Sequence, residues 1–210
     1  MTTKQRYDGV IAWFSEHMPV AESELHYSDP YQLLVAVILS AQCTDKRVNM
    51  TTPALFEAFP TPYHMARATI YPYIRSISYP NNKARNLAGM ARMLCEEFGG
   101  EVPSDLKELQ RLPGVGRKTA NLMLGDVFHV PGVVVADTHC IRITGLLGLT
   151  DGSKDPVKVE QQLRKAIPPA ESGPFCHRMV LFGRDVCTAR SPKCEDCPLK
   201  ADCAQGKKLK

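Results

Sequence analysis

The sequence lacks a long apolar run. Its longest, LLVAVILSA from Leu33 to Ala41, is too short to cross a bilayer, so no membrane partner is expected. It also lacks a leader signal, because Lys4, Arg6 and Asp8 are not followed by an apolar segment. That predicts a cytoplasmic, reducing setting. Strong charge is absent: 26 Lys and Arg against 22 Asp and Glu leave +4, which permits a polyanionic partner without demanding one. There is no internal repeat and no low-complexity tract. Valines 133 to 135 make the one β-flavoured run, and it is short. The six histidines show no paired metal-site spacing.

What is present is helical periodicity over enough apolar residues, 44% of the chain, to bury a core. Tyr7, Val10, Ile11 and Phe14 follow one helical face. Ser28-Asp29-Pro30 starts a buried helix, and Thr61-Pro62 starts another. Ala84, Leu87, Ala91, Leu94 and Phe98 form a stripe closed by Gly99-Gly100. Ser104 is the expected N-cap of DLKELQRL, and Asp155-Pro156 opens a helix with Val159, Leu163 and Ile167 on one face. Phe175 to Gly183 is the last helix before the cysteine-rich end. The fold class expected is all-α, with about ten helices and no sheet.

LPGVGRKTANLML, Leu112 to Leu124, is the first stretch that implies chemistry. Gly114 and Gly116 permit positive φ and leave bare amides before a helix that begins at Arg117. Bare N–H groups at a helix N-terminus hold an anion, and a nucleic-acid phosphate fits them, with Arg111 and Arg117 adding charge. The same pattern also suits a plain helix–helix turn. Lys118 lies in the first turn, where the macrodipole disfavours an ammonium. A neutral amine there is a Schiff-base nucleophile; a second phosphate clamp is the other reading. Asp137, in VVVADTHC, reads as an N-cap for the helix from Thr138, a rigidly held carboxylate.

Cys187, Cys194, Cys197 and Cys203 have the spacing C-x6-C-x2-C-x5-C. Four thiolates suit zinc or a [4Fe–4S] cluster, and the wide outer gaps favour the cluster. With the cluster in place the net charge falls to about +2, so any DNA contact needs a local patch, for which Arg184, Arg190 and Lys193 are candidates. Cys43, Cys95, Cys140 and Cys176 read as small buried hydrophobes.

Together LPGVGRKTAN, ADTH (Ala136 to His139), SAQCTD (Ser40 to Asp45) and the four-cysteine loop resemble the endonuclease III family of the helix-hairpin-helix DNA glycosylase superfamily. The resemblance spans almost the whole chain. It implies a two-domain all-α fold: a helical domain over 22–132 carrying the helix-hairpin-helix, and a discontinuous domain of 1–21 plus 133–210 carrying a C-terminal cluster loop at 187–203. Double-stranded DNA with damaged bases or abasic sites would lie in a cleft between them, and a monomer is expected. The activity implied is removal of oxidised pyrimidines followed by β-elimination at the abasic site. By the same resemblance, Lys118 is the nucleophile on the sugar C1′ and Asp137 its carboxylate assistant. Gly114 and Gly116 hold the phosphate, Gln42 enters the gap left by the flipped nucleotide, and the four cysteines hold a [4Fe–4S] cluster. In ISYPNNKARN (Ile77 to Asn86) the chain departs from the family, leaving Tyr79 as either a wedge in the duplex or a rim aromatic. Two other readings compete: a monofunctional adenine or mismatch glycosylase, and a non-catalytic DNA-binding iron–sulfur module. Against the adenine class, Leu33 to Gln42 holds no carboxylate and Lys118 is present.

Overall fold

In a computed structural model, which describes residues 2–204 and 206, the chain is helical throughout. In chain order the helices are α1 (Thr3–His17), α2 (Pro30–Ser40), α3 (Asp45–Ala58), α4 (Pro62–Met65), α5 (Tyr71–Ile74), α6 (Pro80–Glu97), α7 (Leu106–Arg111), α8 (Arg117–Asp126), α9 (Thr138–Leu147), α10 (Pro156–Ala166) and α11 (Ser172–Asp185). A 3₁₀ turn, Pro169–Glu171, precedes α11. No strand occurs among the described residues, and no helix there is long and apolar enough to cross a membrane. The chain divides into two compact units, 23–128 and the discontinuous pair 1–22 with 129–210.

The unit 23–128 is built on α2. Asp29 caps it by accepting from the Gln32 N–H at 2.8 Å, and Pro30 occupies the first turn, where its missing donor costs nothing. Leu33 to Leu39 are all buried, so this helix is apolar all round because it is enclosed all round. It packs against α3, α6 and α8. Helix α3 was not marked by the apolar pattern; its Thr44 cap and its internal Pro53 are the local signals. Helix α6 buries Lys83, Leu87, Met90, Ala91 and Leu94. It ends where the Gly100 N–H reaches back to Leu94 O at 2.8 Å, with Gly99 and Gly100 both at positive φ. The expected cap of α7, Ser104, is corrected: Asp105 takes that place, its carboxylate accepting from Lys107 and Glu108 N–H groups. A carboxylate reaches two donors at once and complements the helix dipole, which a hydroxyl does less well.

In the other unit, Tyr7, Val10 and Phe14 of α1 join Ile143 and Leu147 of α9, Val159 and Leu163 of α10, and Phe175, Met179 and Phe182 of α11 in one core. Phe14 meets Phe175 and Phe182 edge-on. Buried Arg178 of α11 ties down the end of α1, donating to Met18 O at 3.0 Å, while Glu171 neutralises it at 2.9 Å. Val133 and Val134 are buried, but the valine run connects α8 to α9 without forming a strand. Its Val135 N–H is taken by Cys176 Sγ at 3.3 Å.

Candidate active site and cluster loop

The Pro113 to Gly116 turn joins α7 to α8 as a hairpin. Helix α6 supports it from behind: Gly89 leaves room for the Pro113 ring, and Asn86 packs on Gly114. Only one of the two glycines is needed for its backbone angle. Gly114 has φ +84°, a region closed to most side chains, whereas Gly116 is the N-cap of α8 at φ −90°, open to any residue. Of the positive φ that both glycines permit, only Gly114 makes use. What Gly116 provides is bareness, since a Cβ there meets nothing within 4 Å. Gly116 has no side chain to cap α8, so the start of the helix is open to an anionic acceptor. Gly114, Gly116 and Lys118 are exposed, and Arg117 is half-buried. Arg111 is committed elsewhere: it pairs with Glu97 and lies over the Phe98 ring at 5.7 Å, so it lends the loop less charge than its place in the sequence suggested.

Gln42 and Tyr79 belong to the same unit as the hairpin, and both are exposed. Both also hold left-handed backbone, φ +55° and +56°, unusual for residues with side chains. Tyr79 is the N-cap of α6 and Gln42 follows the C-cap of α2. Sequence reasoning missed Lys83, which is 5% exposed and donates to Leu39 O at 2.8 Å and Ala41 O at 2.6 Å. Burial holds its ammonium below the ordinary lysine range. A signal was available, because Lys83 stands one helical turn before Leu87 on the buried stripe, a place for an apolar residue.

Asp137 lies in the discontinuous unit. It is the N-cap of α9, accepting from the Cys140 N–H at 2.7 Å. His139 packs closely over Gly183, where any Cβ would collide with its ring. Of the scattered cysteines, Cys140 and Cys176 are buried and share a hydrogen bond, whereas Cys43 and Cys95 are only half-buried, so the expectation of four buried thiols holds for two.

The four C-terminal cysteines are all half-buried and free of disulfides. Cys187, Cys197 and Cys203 lean on the core of their unit, and buried Leu199 pins the loop between them. Burial raises the Cys187 thiol, and the Arg142 guanidinium, donating to Cys187 Sγ at 3.5 Å, pulls it partway back. Burial likewise raises Cys197, opposed by the Leu199 N–H. Cys197 also feels the charge of Cys187, Cys194 and Cys203, and Cys187 that of Cys194 and Cys203, so the four sulfurs lie within electrostatic reach of one another. Four such sulfurs, with cationic and N–H donors around them, fit a cofactor that carries its ligands as thiolates. Arg142 was not marked from the sequence. Arg184, Arg190 and Lys193 are all exposed near this loop.

Residues 187–203 match the iron–sulfur binding domain of endonuclease III, and residues 35–169 match the HhH-GPD superfamily of base excision DNA repair proteins. The chain belongs to the endonuclease III family. It is 44% identical to endonuclease III of Synechocystis sp. over 203 residues, 95% of this chain and 92% of that one. With endonuclease III of Bacillus subtilis it shares 42% over 193 residues, 90% and 88% of the two chains. Among solved structures, a trapped endonuclease III–DNA covalent intermediate, in an estranged-adenine complex, superimposes with a TM-score of 0.93. That match has 42% identity and covers 100% of this chain and 99% of that one. As a member of the endonuclease III family, the protein has a [4Fe–4S] cluster as its cofactor, which removes zinc as the alternative.

Proposed function

We propose that the protein is a bifunctional DNA glycosylase and abasic-site lyase, acting on duplex DNA that carries oxidised pyrimidines or abasic sites. One observation carries the reading: its likeness, across the full chain, to an endonuclease III caught covalently bound to DNA. An exposed lysine in the first turn of α8 supports it.

A base within the stack is out of reach, so the nucleotide is extruded at a cost of about a few kcal/mol, least for a damaged base. The bare amides at Gly114, Gly116 and the start of α8 hold a backbone phosphate, with Arg117 beside them. Gln42 enters the vacated space and Tyr79 meets the duplex at its edge. Arg184, Arg190 and Lys193 add phosphate contacts. The Lys118 amine attacks C1′; the C1′–N bond breaks, and its electron pair leaves with the base, which gains a proton. Asp137 helps to free the amine of its proton and stabilises positive charge on the sugar. The attached amine then gives up a proton and the C1′–O4′ bond breaks, O4′ taking a proton, so that an open-chain iminium forms and acidifies the C2′ proton. Loss of that proton breaks the C3′–O bond and nicks the strand, and water then releases Lys118. A water nucleophile in place of the amine would leave the strand intact, so Lys118 separates this chemistry from that of a monofunctional glycosylase. Cys187, Cys194, Cys197 and Cys203 hold the cluster, which supplies a structural anchor for the basic loop.

The test is reductive trapping. The protein is mixed with duplex DNA bearing an abasic site, and borohydride is added. A covalent adduct is expected for the wild type and none for Lys118→Gln. A wild type that yields no adduct overturns the lyase and leaves a non-catalytic DNA-binding module.

A further inference from the structure

Helix α2 ends in an uncommon way. Ala41 has φ −56° and ψ 113°, Gln42 has φ +55°, and the Cys43 N–H closes back on Ser40 O at 2.9 Å. These are the marks of a type II β-turn over Ser40 to Cys43. Its third position requires φ > 0 and normally takes glycine or asparagine; here it carries glutamine. A type I turn differs from it by a flip of the central peptide, which is the Ala41 carbonyl followed by Gln42. With a type I turn, Gln42 would relax to ordinary backbone and its side chain would leave by another direction.

Lys83 decides which way that peptide faces. Its Nζ donates to Ala41 O at 2.6 Å and to Leu39 O at 2.8 Å. Both carbonyls lie at the C-terminal end of α2, where acceptors lack helical partners and the dipole favours a cation. Flipping the Ala41 peptide would carry its oxygen away from a buried ammonium that has little water to replace it. Lys83 is itself fixed by its own backbone, whose N–H bonds Tyr79 O at 3.1 Å in the first turn of α6. One residue thus links two exposed positions in left-handed backbone, its Nζ holding the peptide before Gln42 and its backbone N–H holding Tyr79.

We infer that Lys83 is a positioning residue of the enzyme, which locks the Ser40–Cys43 turn in its type II form and so aims Gln42 into the gap left by an extruded nucleotide. The inference rests on the function proposed above. The experiment is a double-mutant cycle on nicking of an abasic duplex, with Lys83→Met, Gln42→Ala and the pair. Lys83→Met is expected to lower kcat/KM about tenfold, and to lower it less than about twofold further once Gln42 is alanine. Lys83→Arg, which keeps the cation, is expected to fall between wild type and Lys83→Met. Thermal unfolding and the visible absorbance of the cluster, followed in parallel, should remain near wild type. If Lys83→Met does not fold, Lys83→Gln, which keeps one amide donor, takes its place in the cycle. Wild-type activity in Lys83→Met, or a tenfold loss repeated in full on the Gln42→Ala background, overturns the inference while leaving the lyase intact. A wild type with no borohydride adduct removes the enzyme, and this inference with it.

Discussion

The Asp137 carboxylate accepts a hydrogen bond from the Cys140 backbone N–H at 2.7 Å, so the group proposed to assist the reaction also caps the helix that carries it. The two roles separate by substitution. Asp137→Asn keeps a good capping residue and removes the charge. Its urea unfolding should match wild type, while strand nicking falls about a hundredfold or more. Asp137→Ala should lose the same activity and also about 1 kcal/mol of stability. Equal destabilisation by both variants would mean that charge, not capping geometry, holds α9.

The two hairpin glycines should respond differently to alanine. At Gly114, with φ +84° and Asn86 Cβ 3.1 Å from any added methyl, alanine should cost about 1–2 kcal/mol in a melt. At Gly116 a methyl meets nothing within 4 Å, so folding should be spared. That methyl covers the bare amides, however, and DNA affinity measured by fluorescence anisotropy should fall. Unchanged affinity in Gly116→Ala would remove these amides from the phosphate site.

Alkaline pH should destabilise the protein through its buried tyrosines. Tyr7 donates to Leu149 O at 2.8 Å, and Tyr31 to Phe59 O at 3.2 Å. Burial raises both phenols above the ordinary value of 10.0. The folded state therefore keeps its proton where the unfolded chain gives it up. Stability from this source is whole below 10.0 and declines as pH rises above it. Tyr7→Phe should lower stability at neutral pH by about 1 kcal/mol and make the loss above about pH 10 shallower.

Removal of the iron should be felt locally. Cys187, Cys197 and Cys203 lean on the core that contains Phe182 and Leu147. Oxidative loss of the cluster should bleach the visible absorbance and open 187–203 to proteolysis, with the unit 23–128 unaffected. Arg142→Met, which deletes the donor to Cys187 Sγ, should speed the bleaching. Bleaching at an unchanged rate would make Arg142 a packing residue only.

Much of this molecule was written locally in its sequence. Asp29-Pro30 and Asp155-Pro156 start helices because a cap and its donors lie within three residues of each other. Gly99-Gly100 ends α6 for an equally local reason. Lys118 stands in the first turn of α8 because the Pro113 to Gly116 turn leaves no other place for that helix to begin. The cysteine spacing, too, needs no distant residue to be read. Tertiary structure decided what depends on partners far along the chain. Lys83 finds its carbonyls 42 and 44 residues away, Arg142 finds its sulfur 45 away, and Arg111 is drawn to Glu97 rather than to the hairpin. Gly116 kept ordinary backbone because the start of α8 required extended φ and ψ there, which a bare G-x-G pattern does not reveal. Periodicity and capping act over one or two helical turns, whereas a buried charge is settled by whichever acceptors the packed helices bring to it.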